Sequence, residues 1–182
     1  MENRIMEKYA KNILEKNFKN EFYDLHLSEC PDIYSDDLNI GIEVTEAADE
    51  KEKRTFAEFK KLCKGISKNE KWLHEQKNSS GSPIYENGVY IYKGVDDFNL
   101  VNKSVENKLE KLNKHYKIYK NNFLFVYSDI LADEFMIKTE LKQLMEIENK
   151  FEYKFDKIYV YVPGNIYIFN LKEQKYEIRE PI

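Results

Sequence analysis

Pro31 and Asp32 are followed at a fixed distance by Glu43, Val44 and Thr45, which gives the spacing Pro-Asp-x10-Glu-x-Thr. The runs 31–34 and 40–45 are β-type, and Ser35, Asp36, Asp37 and Asn39 between them are turn formers, so the stretch reads as a hairpin. Asp32 opens one strand and Glu43 lies on its neighbour. Antiparallel neighbours lie about 5 Å apart, close enough for two carboxylates to meet around one hard cation. Magnesium suits such a pair: it takes one or two carboxylates, backbone oxygen and waters, lowers the pKa of a bound water and stabilises charge on a phosphodiester. Along the second strand Ile40, Ile42 and Val44 alternate with Gly41, Glu43 and Thr45. An acid in the middle of a short apolar strand, preceded by a glycine that leaves room, is costly unless something binds it. Thr45 shares the Glu43 face, where its hydroxyl can hydrogen-bond a water or a phosphate but cannot act as a cation.

These residues need a scaffold, and the hydropathy pattern supplies one. Ile5, Met6, Tyr9, Ala10, Ile13, Leu14 and Phe18 recur at helical steps from Glu2 to about Asn20. After the hairpin, Phe56, Phe59, Leu62, Cys63 and Ile66 mark a basic amphipathic segment within 46–78, a loop follows at 78–83, and 88–94 reads as a short strand. A long helix is expected over about 97–121, then a strand buried on both faces at 123–129, and a helix over about 133–148. The end reads as two or three strands turning at Pro163-Gly164-Asn165. This order predicts an α/β fold, a mixed central sheet flanked by helices, in a single domain over 1–182 with at most an excursion.

Composition bounds the function. With 42% hydrophobic and 14% aromatic residues the chain has ample material for a core. Its apolar runs are far shorter than the roughly 20 residues of a membrane span, and the start carries no apolar signal region, so the expectation is a cytoplasmic protein with no membrane partner. Cys30 and Cys63 are expected to be buried free thiols rather than a disulfide or a zinc cluster. With 29 Lys+Arg against 33 Asp+Glu and a net charge of -4, the chain does not coat nucleic acid by bulk charge. Any such contact is local, although Lys51 to Lys77 offers a phosphate-contacting arm, balanced by Glu50, Glu52, Glu58, Glu70 and Glu75. His26, His74 and His115 have no partner at metal-ligand spacing, though His26 is near enough to Asp32 in sequence to line the same site.

The Pro-Asp-x10-Glu-x-Thr pattern and the order of elements to about residue 129 resemble the PD-(D/E)xK nuclease superfamily, with its restriction-endonuclease-like fold. The resemblance implies that Asp32 and Glu43 bind Mg2+ (or Mn2+), that the Val44 carbonyl completes the shell, and that DNA or another nucleic acid is the substrate. Contact would be through a local groove, or with the help of a partner or a second subunit in a homodimer. The departure is specific: where the family has lysine this chain has Thr45. Some members supply the lysine from a neighbouring helix. Taking about 100° per residue with Val101 at zero, Val105, Leu109, Leu112, Tyr116 and Tyr119 form a stripe within about 80° and Lys108 falls about 20° outside it. Lys103, Lys111, Lys114 and Lys117 lie on the opposite face, so Lys108 is the expected displaced lysine, with Lys103 and Lys111 as substitutes. On the first helix Glu2 falls inside the apolar stripe and is either a frayed terminal residue or a third acid at the metal. The rival readings are a nuclease-fold module without cleavage, used for binding or regulation, and a protein-interaction domain in which Glu43 is paired with a buried base.

Overall fold

The computed structural model describes residues 4–48, 61, 85–86, 89–90 and 96–182. The chain divides into two compact units, one formed by 1–47 with 96–182, the other by 48–95. In the first, helix α1 (Ile5–Asn17) leads into β1 (His26–Leu27), β2 (Ile33–Ser35) and β3 (Ile40–Glu46). Helix α2 (Asn99–Lys114) then precedes β6 (Asn121–Tyr127), helix α3 (Glu134–Glu148), and the strands β7 (Lys157–Val162), β8 (Asn165–Asn170) and β9 (Lys175–Arg179). In the second unit β4 (Tyr85–Glu86) and β5 (Val89–Tyr90) pair antiparallel. The expected strand at 88–94 is thus described only at Val89–Tyr90, and the basic stretch from Lys51 to Lys77 lies outside the described residues except for Lys61, which is helical and exposed.

The first unit is a mixed sheet in the order β1-β2-β3-β6-β7-β8-β9. The inner pairs β3·β6 and β6·β7 are parallel, and the outer ones antiparallel. Parallel neighbours need a crossover, and α2 precedes β6 as α3 precedes β7. Strands covered on both faces read as continuous apolar runs, which explains why Phe123 to Val126 are all buried. Alternation then sorts the layers. Ile40, Ile42, Val44, Phe123, Phe125, Tyr159, Ile166 and Ile168 pack in one cluster with Ala10, Ile13, Leu14 and Phe18 around α1. Their neighbours in sequence, Gly41, Glu43, Leu124, Val126, Ile158 and Val160, therefore face the opposite layer, where Val101, Val105, Leu109 and Leu112 of α2 and Ile137, Leu141 and Leu144 of α3 are buried. No helix among the described residues is long and apolar enough to cross a membrane.

Two boundaries differ from the sequence expectation. Helix α2 stops at Lys114 instead of running to 121, so Tyr116 and Tyr119 belong to the loop after it. The loop has its own hydrogen bonds to compete with the helix: the Asn122 side chain accepts from Tyr119 N–H and donates to the Tyr119 carbonyl, and Lys120 N–H donates to Asn39 Oδ1. Cys30, expected to be buried, is exposed, because it lies in the bend before β2 rather than in a strand. Elsewhere turn chemistry holds, with Asn39 at φ 51° in the β2–β3 connection and Gly164 at φ 86° after Pro163, as a Pro-Gly turn requires.

The helix α3 carries two buried acids, Glu140 and Glu148, that the apolar pattern conceals. Burial raises the Glu140 carboxyl to about 7, opposed by Asn102, and the Glu148 carboxyl to about 8, opposed by the Phe155 N–H. Each holds its proton in the fold at pH values where the unfolded chain has lost it. Stability from these groups is therefore full below the ordinary glutamate range and falls as pH rises towards about 7 and about 8. Glu148→Gln keeps an acceptor for Phe155 N–H and is expected to flatten the decline of Tm between about pH 5 and about pH 8. Thermal unfolding across that window checks it; a slope equal to wild type would place the titration elsewhere.

Candidate metal and ion-pair centre on the β2–β3 edge

The register Ile33↔Ile42, Tyr34↔Gly41 and Ser35↔Ile40, continued by two residues, sets Asp32 opposite Glu43 and Pro31 opposite Val44. Proline has no N–H to donate, so the ladder cannot be extended there. Instead Val44 N–H donates to Asp32 Oδ2 at 2.8 Å, while the Pro31 carbonyl accepts from Ser28 Oγ. A strand residue turns its N–H and C=O to the same edge, so the Val44 carbonyl faces the Asp32 side and has no donor in Pro31. The Pro-Asp pair thus performs two tasks: it ends β2 and leaves an acceptor-rich corner where the ladder would have run.

Lys108 enters this corner from α2. Its Nζ lies 2.7 Å from Glu43 Oε2 and 3.4 Å from Asp32 Oδ2. The position follows from the helix face, since Val101, Val105, Leu109 and Leu112 seat α2 on the sheet and Lys108 flanks that stripe. Its stem is covered and its side chain is 13% exposed, against 4% for Glu43 and 21% for Asp32. Lys103 and Lys111 are exposed and take no part. Two residues of one hairpin and a third far along the chain, each singled out from spacing or helical phase, therefore share one cluster.

Electrostatically Glu43 is the strained member. Burial pushes its carboxyl up, the Lys108 ammonium pulls it back down, and Asp32 adds to the rise. Its Oε1 is buried and has no hydrogen-bond partner, which is costly for a charged group. The Tyr116 phenol stands beside it, raised by burial and by the Glu43 charge. Next to Glu43, Pro31, Gly41, Tyr116 and Asn122 line a cavity of about 10 Å³, at the lower limit for a single water. Cys30 borders the same field: burial raises its thiol pKa, the Glu43 and Asp32 charges add to the rise, and Lys108 opposes it.

Among the described residues no group of three or more His, Cys, Asp and Glu is placed to hold a metal ion. The donors that would hold one here are Asp32, Glu43 with its unpartnered Oε1, and the Val44 carbonyl, with water completing the shell. That hard oxygen set fits Mg2+ or Mn2+ and not a soft or nitrogen-seeking metal. Of the remaining expected residues, Thr45 is half-buried two places along β3, and the hydrogen bonds of Asp32 and Lys108 do not include it. Glu2 lies outside the described residues. His26 pairs with Asp24 at 3.5 Å and rests against the Tyr34 ring.

Tyr116 and the pair Gly41–Tyr119 were not legible as parts of this centre. The helical phase puts both tyrosines in the α2 stripe, and only the glycine before Glu43 hints at a close approach. A β-carbon at Gly41 would stand 2.6 Å from the Tyr119 ring and 3.3 Å from Pro31 Cγ. Gly41→Ala is accordingly expected to cost about 1–3 kcal/mol through overpacking. Denaturant unfolding measures this, and an unchanged midpoint would show that the loop yields freely. None of the protein-family models, curated proteins or solved structures compared with the chain matches it.

Proposed function

We propose that the chain is a metal-dependent nuclease-like protein that hydrolyses DNA phosphodiester bonds. The observation that carries this reading is the convergence of Lys108 Nζ on Glu43 and Asp32 at 2.7 and 3.4 Å, from a helix far along the chain. The order of α1, the antiparallel β1-β2-β3, α2 and the parallel β6 supports a restriction-endonuclease-like core. Asp32, Glu43 and the Val44 carbonyl hold Mg2+ (or Mn2+), which when bound supplies positive charge to a water and to the scissile phosphate. Asp32 is kept in place by Val44 N–H, so its carboxylate is preorganised rather than recruited. Lys108 orients the attacking water or neutralises the charge that develops on phosphorus, the task that Thr45 cannot perform for want of a charge. Thr45 adds a hydrogen bond from the same strand face. In the net reaction the water oxygen bonds to phosphorus as one phosphorus–oxygen ester bond breaks, leaving a phosphate monoester and a hydroxyl. With an overall charge of -4, DNA contact is local, aided by a partner or a second copy in a homodimer.

One observation favours a second reading: Lys108 already neutralises Glu43, as it would in a nuclease-fold module or interaction domain where the pair is purely structural. Against it stands the sharing of one ammonium by two acids, Asp32 and Glu43, which is more negative charge than a structural ion pair requires. Plasmid and single-stranded DNA incubated with Mg2+ or Mn2+ distinguish the two. Wild type is expected to cut, Asp32→Ala and Glu43→Ala to abolish cutting, and Lys108→Ala to slow it by about 10²–10³-fold. The enzyme reading is overturned if wild type cuts neither substrate with either ion, or if cutting survives all three substitutions.

A further inference from the structure

The carboxylate pair already contains a cation. We propose that the Lys108 ammonium is the resident cation of the Asp32–Glu43 site, and that a divalent ion competes with it for the same oxygens and releases it towards the substrate. The proposal rests on the metal site of the nuclease reading and adds an order of events to it. Nζ sits 2.7 Å from Glu43 Oε2 and 3.4 Å from Asp32 Oδ2, so the ammonium bridges the two acids as an ion would. Magnesium binds oxygen at about 2.0–2.1 Å and keeps several waters. Glu43 lines a cavity of about 10 Å³, which has room for one water and not for an ion with its shell beside an undisplaced ammonium. Two cations sharing these oxygens would also repel at short range in a poorly solvated corner.

A displaced ammonium has somewhere to go. Nζ already lies 6.0 Å from the centre of the Tyr116 ring, whose face attracts a cation, and the lysine stem has the rotatable bonds to swing without moving α2. Charge gives the displacement its purpose. With both acids ionised the resting cluster carries one net negative charge and repels a phosphodiester. With a divalent ion added it carries one net positive charge, and Lys108 is free to meet the phosphate. Nucleic acid would therefore engage the site only after the ion.

Two measurements test this. The first uses the unaltered chain: reductive methylation of lysine amines, followed by peptide mass spectrometry, with and without Mg2+. Labelling of Lys108 is expected to rise at least severalfold with the ion, while the exposed Lys103 and Lys111 serve as internal controls and stay constant. The second is calorimetric titration of Mg2+ and Mn2+ into wild type, Lys108→Met and the Asp32→Asn, Glu43→Gln double variant. Lys108→Met is expected to bind at least tenfold more tightly than wild type, and the double variant not at all. If Lys108→Met binds no more tightly and wild-type labelling is unchanged, while wild type binds the ion through its carboxylates, the displacement is overturned and the metal site stands. If neither wild type nor Lys108→Met binds an ion, or the double variant binds as wild type does, both fall. Should Lys108→Met not fold, the labelling of wild type decides alone.

Discussion

An ionisable group in the middle of a strand covered on both faces is the constraint around which the first unit is organised. Glu43 is 3% exposed, and the energy of removing a carboxylate from water is large enough that it must be neutralised or paired. The counter-charge comes from α2, which has to lie on the Glu43 face of the sheet with Lys108 pointing at β3. Four buried aliphatic residues on α2 fix that placement, and they do so by packing against the same layer that buries Glu43. Burial and neutralisation are thus one arrangement. The layer that makes the charge expensive also delivers its partner.

A buried ion pair is nevertheless poor evidence of stability, because a well-packed apolar pair of similar volume often does as well or better. The cluster here is also incompletely satisfied, with Glu43 Oε1 unpartnered beside a water-sized space. Helix α3 shows the other way in which this fold accommodates buried acids. Among the described residues neither Glu140 nor Glu148 is in an ion pair, although the Lys154 charge opposes the rise at Glu148, and they respond by keeping their protons to about pH 7 and about pH 8. Glu43 has both a cation and a second acid next to it. The difference is one of environment, since the Glu43 cluster brings a second acid and an ammonium together from a hairpin and a helix.

Much of this was legible in the chain because it depends on periodicity. The turn formers between 35 and 39 fixed the hairpin, and with it the facing of Asp32 and Glu43; the helical phase of Val105, Leu109 and Leu112 singled out Lys108 from its neighbouring lysines. What was not legible depends on side chain–backbone bonds that local patterns do not encode. Asn122 and Asn39 capture the backbone at Tyr119 and Lys120, which ends the helix early and turns Tyr116 and Tyr119 back onto the site. Cys30 departs from expectation for a related reason: thiols are usually buried, but this one lies in the bend before the proline where the ladder stops, and it is exposed. Pro31 itself was read as part of a motif, whereas its physical contribution is a missing N–H.

That missing N–H makes the two carboxylates unequal. Asp32 is tied to the backbone through Val44 N–H and is the more exposed of the pair, whereas Glu43 is deeper and is held by side chains, the Lys108 ammonium and the Tyr116 phenol. Asp32 is thus the more accessible of the two carboxylates, with its side chain 21% exposed against 4% for Glu43. An ordinary β-ladder at 31 and 44 would have satisfied Val44 from the position of Pro31 and left Asp32 to the longer contact with Lys108. The substitution of a side chain for a strand at that one step converts the end of a hairpin into a polar corner with an entrance and a base.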